Sequence, residues 1–344
     1  GAHVNLIRLN YVSERGLQPS SEQRVREFAQ LLTDAGVKVT VFEKERTPLS
    51  NIRNKALLFP DFSPAEELAD TLEAKLHYDN ITLLAGTAVA DLRPNDGLWV
   101  TTDEKGVQRP FDEVLIATGY QVFDAKRKEE LGYGIYNGII TSLDLEKMFK
   151  EGRIVNTMGD TPGQVVFLQC VGSRDEKSGN NYCSKVCCVT AVKQAIEVKR
   201  LSPTTNVHVF YMDLRMWGQG FEEMYRKAQE EYNIRFVRGR ISEAAATYDG
   251  RVQFKAEDTL MGLPLNMNTD LLVLMVGMCP SEGTRTLAGA AKIDGLYGFA
   301  QSANEHLRDN FTARTGLFVA GSCKRPMSIN DTIQDARAAA IAML

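Results

Sequence analysis

Long apolar runs are missing from this chain. The most apolar stretch, residues 271–278, falls far short of the roughly 20 residues that a membrane span requires, so no bilayer-crossing helix is expected. A surplus of positive charge is missing as well. Forty Lys and Arg against 44 Asp and Glu give a net charge of −4, which leaves no electrostatic footprint for wrapping nucleic acid or an anionic membrane. Residues Gly1 to Asn5 carry neither the basic nor the apolar region of a secretory leader, so secretion is not expected. Cysteine is scarce: six in 344 residues cannot build a disulfide scaffold, and four of the six fall between Cys170 and Cys188. That distribution points to reduced thiols in a cytoplasm, gathered for a purpose. What is present is ordinary: 44% apolar and 24% charged residues exclude wholesale disorder, and no repeat or low-complexity tract interrupts the chain.

Helical and strand patterns alternate along it. Val25, Phe28, Leu31 and Leu32 recur at helical spacing from Ser20 to Ala35, Gly36 stops the pattern, and a β-rich run follows from Val37 to Phe42. Glu43 ends that strand, where a carboxylate in a doubly wound nucleotide-binding fold accepts hydrogen bonds from ribose hydroxyls; a plain charge at a strand end is the alternative. Pro64 to His77 predicts a helix, Ile81 to Leu84 a strand, and Leu98 to Thr101 with Phe111 to Ala117 pieces of a sheet. The run from Val114 enters Ala117, Thr118, Gly119 and Tyr120, the strand-to-loop junction recurrent in flavoproteins with two dinucleotide domains, where glycine lets the backbone approach the cofactor. A second βαβ unit starts at Gln164–Leu168, continues through a helix from about Ser184 to Arg200, and resumes at Val207–Tyr211; with strand Leu271–Val276 it predicts a second parallel sheet. The last pattern, Gly316 to Ser322 followed by a helix from Ile329 to Met343, sets a helix N-terminus just beyond a tight Gly321 turn, a place for anionic or carbonyl groups of a flavin.

The strongest chemical signal is Cys170, Cys183, Cys187 and Cys188, spaced C-x12-C-x3-C-C. If a helix starts near Cys183, then Cys183 and Cys187 stack one turn apart, Cys188 lies about 100° around, and Cys170 arrives from a strand end. Four-cysteine zinc sites use paired C-x2-4-C hooks, and this spacing is not that. A four-thiolate iron–sulfur cluster accommodates it better, with structural zinc and plain core cysteines as the alternatives. Cys170 also occupies the strand end where an ordinary second dinucleotide domain carries G-x-G-x-x-G for a nicotinamide cofactor, and no such loop is there. His3, His77, His208 and His306 lack metal-ligand spacing and read as surface or core residues. Cys279 and Cys323 read as inert buried thiols, although Cys323 follows the flavin turn. Arg215, Arg235, Arg238 and Arg240 read as a solvated face.

Gln169–Glu176, Tyr182–Cys188, Phe210–Arg215 and Ala228–Tyr232 strongly resemble the A-type subunits of heterodisulfide reductases, and the resemblance extends back through Ala117–Tyr120 and Ile140–Leu143 and forward to the Ala320–Gly321 turn. It implies a thioredoxin-reductase-like flavoprotein core that binds FAD, with a 4Fe-4S cluster on Cys170, Cys183, Cys187 and Cys188. It also implies B- and C-type partner subunits of the same complex and a homodimer. The extra ferredoxin-type cysteine sets of long methanogen forms are missing, so the chain looks like the short subunit of heterodisulfide-reductase-like complexes in sulfur-oxidising bacteria. Two departures stand out. Gln18 to Val25 holds no glycine where the family has its first Gly-rich fingerprint, so either the N-terminus is altered or the ADP half of FAD is held differently. Met327 follows Pro326 where the long forms place Lys, which speaks against electron bifurcation.

The expected architecture is α/β, with two doubly wound dinucleotide-binding-type domains, the second inserted into the first: residues 1–125 and 295–344 for FAD, and 126–294 for the cluster. The expected FAD contacts are Glu43, Lys44, Val89, Thr118, Gly119, Tyr120, Gly321, Ser322, Ser328 and Ile329. Related disulfide oxidoreductases carry Asp where this chain has Ser322, so Lys324, Arg325 and the helix dipole are expected to make the flavin surroundings net cationic and to favour its reduced forms. The expected function is an electron-transferring flavoprotein subunit that relays or stores electrons between FAD and the cluster in sulfur metabolism. The rivals are a pyridine-nucleotide-disulfide oxidoreductase, which lacks its nicotinamide loop and redox cysteine pair here, and a non-redox zinc-bearing assembly module.

Overall fold

The computed structural model describes residues 36–343, so the Ser20–Ala35 helix, the Gln18–Val25 segment and His3 lie outside the described residues. Backbone contacts divide the described chain into two units, one of residues 36–49, 71–121 and 280–343, the other of 50–70 and 122–279. These cuts differ from the borders expected after residues 125 and 294. Phe123 and Ala125 are buried in the core of the second unit, and Leu287 and Ala288 in that of the first.

The second unit is built on a parallel five-stranded sheet in the order Arg235–Arg238, Asn206–Tyr211, Gln164–Val171, Leu271–Val276, Ile139–Thr141. Its central strands are apolar on both faces, as a sheet covered on both sides demands. Val165 and Phe167 face helices Ser142–Lys150, Cys187–Leu201 and Phe221–Glu230. Val166 and Leu168 face an antiparallel sheet of Ile241–Ala246, Val252–Asp258 and Leu263–Thr269. Phe167, Leu272 and Leu274 are fully buried, each worth about 1.5–3 kcal/mol of transfer free energy. The excursion 50–70 is tied to this unit by Ala56 N–H donating to Glu146 Oε2 (2.9 Å) and Lys150 Nζ donating to Arg53 O (2.7 Å).

The first unit holds two parallel strand pairs. Val39–Glu43 runs beside Ile81–Ala85, and Val114–Ile116 beside Leu317–Val319. An antiparallel sheet, Val89–Asn95, Leu98–Asp103 and Gln108–Phe111, and helices Glu282–Ala291 and Ile329–Met343 complete it. Leu92, Trp99, Ile116, Leu287, Leu317 and Val319 form its core, and Trp99 satisfies its indole N–H on Thr315 O at 3.0 Å.

Candidate functional site

The ten residues expected at a flavin all lie in the first unit, in two groups, each at the carboxyl ends of a parallel strand pair, where ligands of α/β sheets bind. Glu43 ends its strand, and its carbonyl accepts from Thr87 N at 2.9 Å, which brings it beside the segment leading to Val89. Its carboxylate accepts from Glu45 N, also at 2.9 Å. Lys44 is exposed, 3.7 Å from Glu45. The second group meets because Ala320 N–H donates to Ile116 O at 3.0 Å, which sets the Thr118–Gly119–Tyr120 and Gly321–Ser322 turns side by side. Gly119 has φ +65°, and a Cβ added there would find open space, so the backbone is free for close approach.

Two residues that sequence reasoning missed fix this junction. Ser281 caps helix Glu282–Ala291 by accepting from Thr284 N, and its hydroxyl donates to Thr118 O at 3.0 Å. Thr284 Oγ1 meets Thr118 Oγ1 at 2.7 Å. The pattern Ser281-x-x-Thr284 before an apolar run was the available signal. Ser328 caps helix Ile329–Met343, with Asp331 N donating to its hydroxyl and the Asp331 carboxylate accepting from both Ser328 N and Oγ.

The expected cationic surroundings are corrected. Lys324 is buried and ion-paired with Asp309 (2.8 Å) and Asp335 (2.7 Å), and Arg325 is paired with Asp309 (2.6 Å). Asp335 Oδ2 also accepts from Gly321 N at 2.6 Å. Two carboxylates thus match two cations at this turn. Cys323 is fully buried, and burial pushes its thiol up to about 12, as expected of an inert group.

The cysteines lie in the second unit. Strand Gln164–Val171 pairs Leu168 with Leu274 and Val171 with Val276, so Gln169 and Cys170 together oppose one residue and form a β-bulge. Cys170 takes φ +61° there. Regular alternation would put residue 170 on the face of Val166 and Leu168; the bulge turns Cys170 to the helix-covered face, where it packs with Cys187 and Cys188. Left-handed backbone at a non-glycine residue costs about 1–3 kcal/mol and marks sites where the arrangement is imposed. The helix begins at Cys187, not near Cys183. Lys185 has φ +61°, which no right-handed helix contains, so Cys183 and Cys187 do not stack on one face.

Hydrogen bonds link Cys187 to both Cys170 and Cys188. The bond to Cys187 brings the Cys170 thiol down to about 7, with the guanidiniums of Arg174 and Arg240 adding to the effect. Cys188 is lowered by its own bond to Cys187, and Cys187, between the two, is raised well above the ordinary thiol value. Cys188 Sγ also donates to Gln169 Oε1 at 2.9 Å. Cys183 is half-buried, its sulfur accepting from Lys185 N at 3.3 Å, and it opens onto a cleft of about 700 Å³ shared with Tyr211, Arg215, Trp217 and Tyr225. Cys279 stands apart, against Asn180 Nδ2 at 3.6 Å. Among the described residues no group of three or more His, Cys, Asp or Glu is arranged to hold a metal ion; the four cysteines are a donor set rather than a preformed coordination shell.

The loop after Cys170 tolerates little. Gly172 has φ +73°, and a Cβ there would fall 2.0 Å from Phe123 Cγ. Gly172→Ala is therefore expected to cost roughly 2–4 kcal/mol, overpacking and backbone strain together. Urea unfolding checks this, and Phe123→Ala in the same chain should recover part of the Gly172→Ala loss if the ring is the obstacle.

No family model matches the sequence. Two solved structures share the fold over 92% of this chain and 92% of their own: T. acidophilum thioredoxin reductase (TM-score 0.62, 17% identity) and Lactococcus lactis thioredoxin reductase (TM-score 0.64, 15% identity). The fold is therefore the two-domain α/β dinucleotide-binding fold of thioredoxin reductases. The A-type subunit of the H2:CoB-CoM heterodisulfide,ferredoxin reductase of Methanothermobacter marburgensis is 39% identical over 234 residues, 66% of this chain. The A-type iron-sulfur subunit of the CoB–CoM heterodisulfide reductase of Methanocaldococcus jannaschii is 40% identical over 243 residues, 67% of this chain. The chain belongs to the family of heterodisulfide reductase A-type subunits. It spans 36% of the length of these two relatives.

Proposed function

We propose that this chain is a flavin and iron–sulfur electron-transfer subunit of a heterodisulfide-reductase-type complex, an oxidoreductase subunit that relays or stores electrons between FAD and a 4Fe-4S cluster in sulfur metabolism. The carrying observation is the bulge that turns Cys170 onto the face of Cys187 and Cys188 at the strand end where a nicotinamide phosphate loop would otherwise sit. The donor set fits a thiolate-held cluster: four thiols, three of them buried and mutually hydrogen-bonded or packed, with no imidazole or carboxylate among them. A relative named as an iron-sulfur subunit supports the same reading.

Cys170, Cys183, Cys187 and Cys188 would hold the cluster in the second unit. Glu43, Lys44, Val89, the Thr118–Tyr120 turn, Gly321, Ser322, Ser328 and Ile329 would hold FAD in the first. When bound, FAD exchanges one or two electrons and the cluster one, so a subunit with both couples two-electron sulfur chemistry to one-electron carriers. In this reading Ser281 and Thr284 lock the Thr118–Gly119 backbone, and Asp335 orients the Gly321 amide. B- and C-type subunits, a second copy of the chain and a cytoplasmic setting complete the proposal; among the described residues no helix is long and apolar enough to cross a membrane.

Absorbance and metal analysis of anaerobically purified protein test it. Flavin bands over a broad charge-transfer shoulder, with iron bound, are expected; a colourless or zinc-bearing protein would overturn the reading. A second expectation follows from the missing nicotinamide loop. NADH or NADPH alone should leave the flavin band unbleached, and rapid stoichiometric bleaching by either would return the chain to the pyridine-nucleotide class.

A further inference from the structure

The strand end and loop that carry Cys170 also carry buried polar atoms that no protein group satisfies. Gln169, 5% exposed, accepts from Cys188 Sγ through Oε1, while its Nε2 is buried without a partner. Ser173 is fully buried, and its hydroxyl has none either. Arg174 spends Nη2 on Asp213 Oδ2 at 2.6 Å, and its buried Nη1 is unpartnered. Leaving one such donor unmade costs about 1–3 kcal/mol, so a run of them within six residues needs a compensating acceptor.

The acceptor has a definite chemistry. Arg174 N–H donates to Tyr182 O at 2.9 Å, which anchors Arg174 beside the approach to Cys183. Its guanidinium, tethered to Asp213, stands within electrostatic range of Cys170, Cys183 and Cys188. The 15-residue helix Cys187–Leu201 adds the positive end of its dipole, with no acid in its first turn and no capping side chain. Gln169 at Cys188, Arg174 near Cys170 and the helix start at Cys187 thus bring donors and positive charge to the cysteines.

We propose that Arg174 and Gln169 set the reduction potential of the thiolate-held centre, Arg174 by its charge and Gln169 by donating from Nε2 to sulfur. This rests on the reading that Cys170, Cys183, Cys187 and Cys188 hold an iron–sulfur cluster. Reduction adds one electron and breaks no bond, so the reduced centre is more negative than the oxidised one by one charge. A fixed cation and an amide donor therefore stabilise the reduced state more, and raise the potential. Asp213 acts in the opposite sense, because it neutralises Arg174 across their ion pair.

The test is a dithionite titration of the full chain, with the reduced-state paramagnetic signal as the readout. Arg174→Gln and Gln169→Leu should each move the midpoint negative at undiminished iron content, Arg174→Lys should return it most of the way, and Asp213→Asn should move it positive. A role confined to holding the loop would not produce opposite signs at Arg174 and Asp213. Unchanged midpoints in iron-replete variants would overturn the proposal. So would loss of iron in Arg174→Gln together with an unmoved midpoint in Gln169→Leu. A wild-type chain that holds no iron would instead overturn the cluster reading on which the proposal rests.

Discussion

With the four cysteines holding a 4Fe-4S cluster as proposed, Cys187→Ser is expected to lower bound iron from about four atoms per chain to less than one, with loss of the charge-transfer shoulder. Cys187 is the central thiol of the set, bonded to Cys170 on one side and Cys188 on the other, and 4% exposed in the first turn of the Cys187–Leu201 helix. A serine oxygen there is harder and less acidic than a thiol, and it sits on backbone that the helix and the sheet hold in place, so it cannot move to compensate. Cys279→Ser and Cys323→Ser are the matched controls. Each removes a buried thiol, one bonded to Asn180 and one donating to Ile116 O at 3.2 Å, and neither should change the iron content. Iron analysis with circular dichroism separates cluster loss from unfolding. Full iron in each of the Cys170, Cys183, Cys187 and Cys188 variants would refute the ligand assignment.

The four cysteines and the strands around them were legible because they are local: spacing, a β-rich run, an Ala-Thr-Gly junction. How Cys170 reaches the other thiols was not. A bulge at Gln169 and Cys170 is set by pairing with Leu274 and Val276, far along the chain, and nothing in the strand's own alternation announces it. The start of the helix was misplaced for a related reason. Residues 184–186 look helical by composition, but Ser184 Oγ is committed to Met278 N at 2.8 Å, and Lys185 turns left-handed. At the turns expected to hold the flavin, the charges of Lys324 and Arg325 could be read, whereas their neutralisation could not, because Asp309 lies upstream in a loop and Asp335 on the next helix. The antiparallel sheet of Ile241–Ala246, Val252–Asp258 and Leu263–Thr269 was legible too, because Val252, Phe254 and Ala256 alternate with exposed polar residues; what the alternation does not tell is the face it covers, against Phe210, Leu272 and Leu274.

Lys193→Met is expected to destabilise the protein by about 3–5 kcal/mol at pH 8, the cost of breaking a buried ion cluster from one side. Lys193 is 2% exposed, in the middle of the Cys187–Leu201 helix, with its ammonium 2.8 Å from Glu146 Oε1 and 2.7 Å from Glu197 Oε2. Glu146 is further held by Gln194 Nε2 (2.7 Å) and by the backbone N–H of Ala56 (2.9 Å), so the cluster joins two helices and the 50–70 excursion. Glu197 is less well served: the contact with Lys193 is off the hydrogen-bonding direction, and burial, opposed by Lys193 and reinforced by Glu146, pushes its carboxyl up to about 7. The sign of the pH effect follows. Glu197 binds its proton more tightly folded than unfolded, so this residue's contribution to stability is fully present below the ordinary glutamate value of about 4.3. It is lost as pH rises to about 7, and flat beyond. Removing the Lys193 ammonium takes away the charge that opposes the rise at Glu197, which steepens that loss. The Lys193→Met deficit should therefore be smaller at pH 5, where Glu197 takes up its proton, than at pH 8. Glu197→Gln, which keeps the shape without the charge, should be neutral at pH 5 and stabilising at pH 8. Urea midpoints of the two variants against wild type at both pH values decide the matter; a Lys193→Met deficit that is equal at pH 5 and pH 8, or below about 1 kcal/mol at both, would show that the cluster carries no net burden of buried charge.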